Sequence, residues 1–262
     1  MSTVLAVHVG PQDVVRHSLL LARRRLVALR TNPFELVGMV AFPLVFVFLF
    51  VFVFGGAVAG SPQAYIQFAL PGILAQFVFF GSQTTGQAMN DDLNNGIFDR
   101  LRSLPIARSA PLVGQIASDA LQLGLGLVIT AGVGYLLGFR IHTGPLSALA
   151  GLAVMLGFAL CFGWVSTLLG VVAKNPRVVQ LFGQALLFPL TFASSAFVPA
   201  STLPWWMHAW VQVSPVSVLS ETLRGLLVGG AVLEPGLKTA AWALGFLVVF
   251  APLSVWAYLR RA

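Results

Sequence analysis

The chain has 262 residues, 58% apolar and only 9% charged, with a mean hydropathy of +0.90. Soluble domains carry roughly a quarter charged residues, so this composition excludes a water-soluble enzyme and a disordered protein. A polytopic membrane protein remains, and at about 20 residues per helical crossing the length allows six spans and no second catalytic domain.

The net charge is +7, and the basic residues flank apolar runs instead of forming one basic domain. That pattern reads as membrane topology, not nucleic-acid binding. The single Cys161 lies in an apolar run, so no intrachain disulfide is expected and packing is its simplest role. About 35 mixed residues precede the first long apolar run, which predicts a retained anchor and not a cleaved signal.

Pro11 to Arg30 reads as an amphipathic interfacial helix. Arg16, Arg23 and Arg30 repeat every seventh position, Arg24 and Arg25 lie beside them, and Leu19, Leu20, Leu26 and Val27 supply the apolar face. Asn32-Pro33-Phe34-Glu35 is a helix start, with Glu35 placed as a capping carboxylate. Spans are predicted over 36–58, 66–89, 111–138, 146–173, 178–198 and 237–258. Residues 90–110 are the most polar stretch, and Lys174-Asn175-Pro176-Arg177 forms a tight polar turn. Residues 199–236 are broken by prolines and glycines and carry Trp205, Trp206 and Trp210. Short interfacial helices are expected there, with the tryptophans at headgroup depth.

If both termini are cytoplasmic, twelve of the 15 basic residues fall inside and only Arg140, Arg224 and Lys238 outside. This bias fits an even number of spans.

The chemistry of common catalytic sites is missing. The only lysines are Lys174 and Lys238, and neither sits in a phosphate-binding loop. His8, His17, His142 and His208 are scattered, and no GxSxG occurs. No catalytic residue and no cofactor on this chain are expected. Polar side chains inside the spans are costly in lipid and therefore informative. Gln76, Gln83, Gln87 and Asn90 form one stripe on the second span, within roughly 60° of arc at 100° per residue. Gln115, Asp119 and Gln122 form a second stripe, and Gln180, Gln184 and Thr191 a third. These faces meet each other, a partner subunit or a water-filled path. Phe79, Phe80, Phe188 and Phe192 are candidates for an aromatic pocket. Between the second and third spans, acids and arginines alternate, and Leu93, Ile97, Phe98 and Leu101 recur at helical spacing. That is the pattern of an amphipathic docking helix.

Three passages carry a resemblance. They are Asn95-Gly96-Ile97-Phe98-Asp99-Arg100-Leu101-Arg102-Ser103-Leu104-Pro105-Ile106; Asn175-Pro176-Arg177-Val178-Val179-Gln180 leading to Phe188-Pro189-Leu190 and Ser194 to Pro199; and Leu203-Pro204-Trp205-Trp206 through Ser214-Pro215-Val216 to Glu221-Thr222-Leu223-Arg224-Gly225. In order and hydropathy layout the chain resembles the permease subunit of bacterial type-2 ATP-binding-cassette exporters, in the daunorubicin-resistance permease group.

The resemblance implies an all-α membrane protein of one permease domain, residues 1–262, in the bacterial cytoplasmic membrane. Residues 11–31 would be the elbow helix. Residues 91–104 would hold the coupling helix, with Asp91, Asp92, Asn95, Gly96, Phe98, Asp99, Arg100, Leu101 and Arg102 facing the ATPase. Residues 200–230 would form re-entrant extracellular helices, with Trp205, Trp206, Glu221 and Arg224 at the outer gate and the last two able to pair. Two copies of a separate ATP-binding subunit would carry ATP and Mg, and a second permease, identical or related, would complete the transporter. Gln76, Phe80, Gln83, Gln87, Gln184, Phe188 and Phe192 are the candidates for the path of a lipophilic substrate. The rivals are glycolipid or polysaccharide export by the same architecture and an ion-coupled secondary transporter. The last would require mid-span acids and an internal repeat, and neither is evident.

Overall fold

The structure, a computed structural model, describes residues 41, 43–95 and 110–261. The expected elbow helix at 11–31, the cap at Glu35 and the beginning of the first span lie outside these residues. Every described element is a helix: α1 Pro43–Ala59, α2 Pro62–Asn94, α3 Ala110–Leu136, α4 Pro145–Val172, α5 Pro176–Phe192, α6 Trp205–Val211, α7 Pro215–Leu227 and α8 Leu233–Arg261.

Local sequence sets the helix starts. Ser61 accepts a hydrogen bond from the Ala64 amide (3.2 Å) ahead of Pro62, and Asn175 accepts one from Val178 (2.9 Å) ahead of Pro176. In both cases a polar cap precedes a proline, whose missing N–H costs nothing in the first turn. Within α1, Leu49–Phe54 winds as a π-helix, and Gly60 ends the helix at φ +74°.

Four helices are long and apolar enough to cross a bilayer: Pro62–Asn94, Gln115–Leu136, Pro145–Val172 and Leu233–Arg260. α5 has 17 residues, or about 25 Å, short of a hydrocarbon core of about 30 Å. The span expected over 178–198 therefore ends early, at Phe192. The chain turns after Phe192, and the backbone beyond it enters other contacts: the Ser195 amide donates to Ser217 Oγ (3.0 Å), and the Ser195 and Ala196 carbonyls accept from Arg224. α2 departs in the other direction. Its 33 residues extend about 50 Å, so the segment expected as a coupling loop begins as helix through Asp91, Asp92, Leu93 and Asn94.

α2 is the axis of the bundle and packs against α1, α3, α4, α5 and α7. Tyr65, Ile66, Leu70, Ile73, Leu74 and Phe79 line its buried length and meet Leu127, Phe158, Leu219 and Leu223. In lipid, helix pairing gains little from the hydrophobic effect and depends on close approach and hydrogen bonds. Glycine allows that approach where α2 crosses α4: a Cβ on Gly86 would lie 2.2 Å from the Ser166 carbonyl oxygen, and one on Gly170 would lie 2.2 Å from that of Gly86.

The segment expected to hold interfacial helices divides in two. α6 carries the exposed Trp205 and Trp206. α7 instead packs into the bundle against α2, α4 and α8, with Val216, Leu219 and Leu223 fully buried. Its hydroxyls tolerate burial because Ser220 donates to the Ser217 carbonyl (2.8 Å) and Thr222 to that of Val218 (2.7 Å). α8 packs on α4 and α7 and leaves Leu237, Leu244, Val248 and Leu253 exposed.

Gly86→Val would force α2 and α4 apart, at a cost of about 2 kcal/mol or more. Its thermal midpoint in detergent should fall clearly below that of the unaltered chain, whereas Gly56→Val, with open space around it, should match it. Equal midpoints for all three chains would show that the crossing is not close-packed.

Candidate functional site

The stripe on α2 has separate uses along its length. Gln76 is buried at mid-helix, and its Nε2 has no hydrogen-bond partner. Gln83 is buried against α5 and donates through Nε2 to the carbonyls of Gln180 (2.8 Å) and Val179 (3.4 Å). Asn90 is fully buried and donates through Nδ2 to Gly170 (2.8 Å) and Ala173 (2.7 Å) at the end of α4. Gln83 and Asn90 thus bond helices together, while Gln87 and Gln184 remain half-buried. On α3, Gln115 Nε2 donates to both Asp119 carboxylate oxygens (3.2 and 3.0 Å), so these two members of that stripe pair with each other.

The phenylalanines show an order that spacing alone did not reveal. Phe80 on α2 meets Phe188 edge-on at 5.3 Å, Phe188 stacks on Phe192 at 5.9 Å, and Phe192 stacks on Phe197 at 5.6 Å. Phe197 stacks on Phe50 at 4.2 Å, and Phe50 on Phe54 at 5.3 Å. Six rings therefore form a continuous ladder from α2 through α5 to α1. Its members Phe54, Phe188 and Phe192 are exposed. Phe79 has turned away into the core against Phe158 and Phe162.

Near the Trp-bearing end, Arg224 gathers a polar cluster. Its Nε donates to the Phe68 carbonyl (3.0 Å), and one Nη donates to the carbonyls of Ser195 (2.6 Å) and Ala196 (2.8 Å). The guanidinium also sits 3.7 Å from the centroid of the Phe68 ring. The neighbouring Tyr65 hydroxyl donates to the Phe197 carbonyl (2.7 Å). Gly72 makes room for this turn, since a Cβ there would lie 2.0 Å from the Ala196 oxygen.

The expected Glu221–Arg224 pair does not form. Glu221 accepts from the Ser195 hydroxyl (3.0 Å), because the turn after α5 offers the guanidinium several carbonyls in a geometry that suits its fork. Burial pulls the Arg224 pKa down to about 10, opposed by the Glu221 carboxylate. The group stays cationic at neutral pH. Beside it opens a cleft of about 530 Å³, lined among others by Gln212, Glu221, Glu234 and Lys238. Trp205 and Trp206 stand outside this cluster, exposed on α6. Trp210 instead ties α6 to the turn by donating to the Ala193 carbonyl (2.9 Å).

Of the residues expected to face an ATPase, Asp91, Asp92 and Asn95 lie at the end of α2, with Asp91 and Asn95 exposed. Gly96, Phe98, Asp99, Arg100, Leu101 and Arg102 lie outside the described residues. No group of three metal-ligating side chains occurs among the described residues.

Residues 17–228 match the model of the ABC-2 type transporter family. The chain is 36% identical over 239 residues to the daunorubicin resistance ABC transporter permease protein DrrB1 of Streptomyces coeruleorubidus, covering 91% of this chain and 84% of that protein. It is 25% identical over 253 residues to the probable doxorubicin resistance ABC transporter permease protein DrrC of Mycobacterium tuberculosis, covering 94% and 91%. It is 26% identical over 235 residues to the doxorubicin resistance permease DrrB of that organism, covering 86% and 80%.

The chain belongs to the ABC-2 type transporter family. It is accordingly a membrane-embedded, non-catalytic permease subunit, and ATP is used by a partner subunit.

Arg224→Leu should destabilise the fold by about 3 kcal/mol, because it leaves buried carbonyls unpaired. Arg224→Lys should recover only part of this, since a point charge replaces a planar fork. The check is the thermal midpoint of each variant in detergent, and equal midpoints for lysine and arginine would contradict the fork geometry.

Proposed function

We propose that this chain is the membrane subunit of an exporter that moves a lipophilic, aromatic small molecule out of the cell. Two permeases, identical or paired, stand on two ATP-binding subunits that carry ATP and Mg. The membrane is the bacterial cytoplasmic membrane, with six crossings, both termini inside, residues 11–31 along its surface and the α6–α7 region re-entering from outside. The observation that carries this reading is the ring ladder, with exposed edges on α1 and α5 and the half-buried Gln87 and Gln184 on the flanking helices. Aromatic faces and edges take planar apolar ligands by offset stacking and edge contacts, and a few placed amides orient them. The relatives named for daunorubicin and doxorubicin resistance support the same class of substrate.

Asp91, Asp92 and Asn95 lead into the docking segment, with Gly96, Phe98, Asp99, Arg100, Leu101 and Arg102 beyond them. ATP binding draws the ATPases together and displaces this segment, and the permease halves move as rigid bodies. Substrate affinity must differ between the inward and outward states, or the cycle moves nothing. Phe80, Phe188 and Phe192 line the path, Gln76 and Gln83 stand behind it, and Trp205, Trp206, Glu221 and Arg224 border the outer exit.

The test is daunorubicin extrusion from cells expressing the chain with its ATPase. Extrusion should require ATP and both chains, and deletion of residues 91–104 should abolish it. Phe188→Ala with Phe192→Ala should cut extrusion about tenfold, near 1.4 kcal/mol of lost ring contact, without lowering the amount of chain in the membrane. Full extrusion after the deletion, or by this chain alone, refutes the reading.

A further inference from the structure

The cytoplasmic half of α2 carries two amides committed to neighbouring helices on either side of one turn. Asn90 Nδ2 reaches the Gly170 and Ala173 carbonyls, before the Lys174–Asn175 turn. Gln83 Nε2 reaches the Val179 and Gln180 carbonyls, after it. Asn90 is itself held from the docking side, because Asn94 Nδ2 donates to its Oδ1 at 2.9 Å. The two helices that Asn90 joins are already in backbone contact at Gly86 and Gly170, one turn away.

We infer that Asn90 is the positioning residue through which displacement of the docking segment reaches α5, with Gln83 as the second fixing point. The argument rests on the export reading above. α2 continues as helix into the docking segment, so a push there moves Asn94 and Asn90 directly. Asn90 carries the carbonyl end of α4 with it. Gln83 grips the first turn of α5, whose far end bears Phe188 and Phe192. The ends of α4 and α5 flanking the 173–175 turn therefore move with α2 as one body. The buried carbonyl of Gly170 and the partly buried one of Ala173 depend on this arrangement, since losing their donor in a water-poor site is unfavourable. The linkage is made by hydrogen bonds with fixed direction, so it transmits displacement along the helix axis, where apolar packing alone would let helices slide.

The experiment uses the complete complex of this chain with its ATPase, reconstituted in vesicles, with daunorubicin as the transported probe. Asn90→Leu and Asn90→Asp remove the donor at nearly constant size. Each should keep the ATPase bound and basal ATP hydrolysis within about twofold, while daunorubicin moved per ATP falls about tenfold, a coupling loss within the range known for linked sites. A residue that merely supports folding would lower yield and both rates together, leaving the ratio unchanged. Gln83→Leu should lower the same ratio. An unchanged ratio in the Asn90 variants overturns the inference, and so does loss of ATPase binding, which would place Asn90 in docking.

Should the variants not fold, spin labels at positions 84 on α2 and 181 on α5, in a Cys161→Ala background with one labelled copy per complex, test the unaltered amides. Their separation should stay constant when ATP is added, and a change means that α2 and α5 do not move together. If the unaltered complex fails to assemble or to move the probe, it is the export reading that falls.

Discussion

Helices in a bilayer have no water to flee, so the contact between α2 and α4 rests on shape and hydrogen bonds. Gly86 and Gly170 bring the two backbones together, and the buried Asn90 amide fastens them just beyond. The other described elements are arranged around this crossing. α3 and α5 fill the flanks of α2, α7 stacks on both α2 and α4, and α8 covers α4 and α7.

The crossing also explains why a polar face in an apolar bundle is not by itself a passage. A stripe of amides within one arc of a helix can line water, or it can supply the directional bonds that lipid-embedded helices require. In this chain two members of the stripe serve the second use. Asn90 saturates carbonyls at the C-terminal end of α4, where the intrahelical ladder leaves acceptors free, and Gln83 adds a second donor to carbonyls near the start of α5. Gln87 and Gln184 remain half-buried.

At the opposite end of α2, a charge replaces the amide. Arg224 binds three carbonyls from α2 and from the turn after α5, and covers the Phe68 ring. This ending of α5 turns Phe197 inward onto Phe50. The ladder thus depends on the polar cluster next to it: the turn that satisfies the guanidinium is also the one that joins the α5 rings to those of α1.

Composition, run length and charge bias were enough to place this chain in a membrane, to locate the helices near their observed positions and to exclude a phosphate-binding loop. These properties are legible because lipid imposes them residue by residue, through the cost of exposing polar groups. The polar stripe was legible from local spacing, since it is a property of a single helix. The partners of Gln83 and Asn90 were not, because they lie 80 to 97 residues away along the chain and are backbone carbonyls that no side-chain pattern announces. The Glu221–Arg224 spacing pointed to a local pair, but the guanidinium found a better-shaped set of acceptors on segments that only the fold brings near. Likewise, the sequence by itself determined that phenylalanines were abundant on α1, α2 and α5. Phe188–Phe192 and Phe50–Phe54 each lie four apart on one helix and follow from spacing. Only the tertiary structure decided that Phe80 meets Phe188 and that Phe197 meets Phe50, because those contacts depend on the approach and rotation of separate elements.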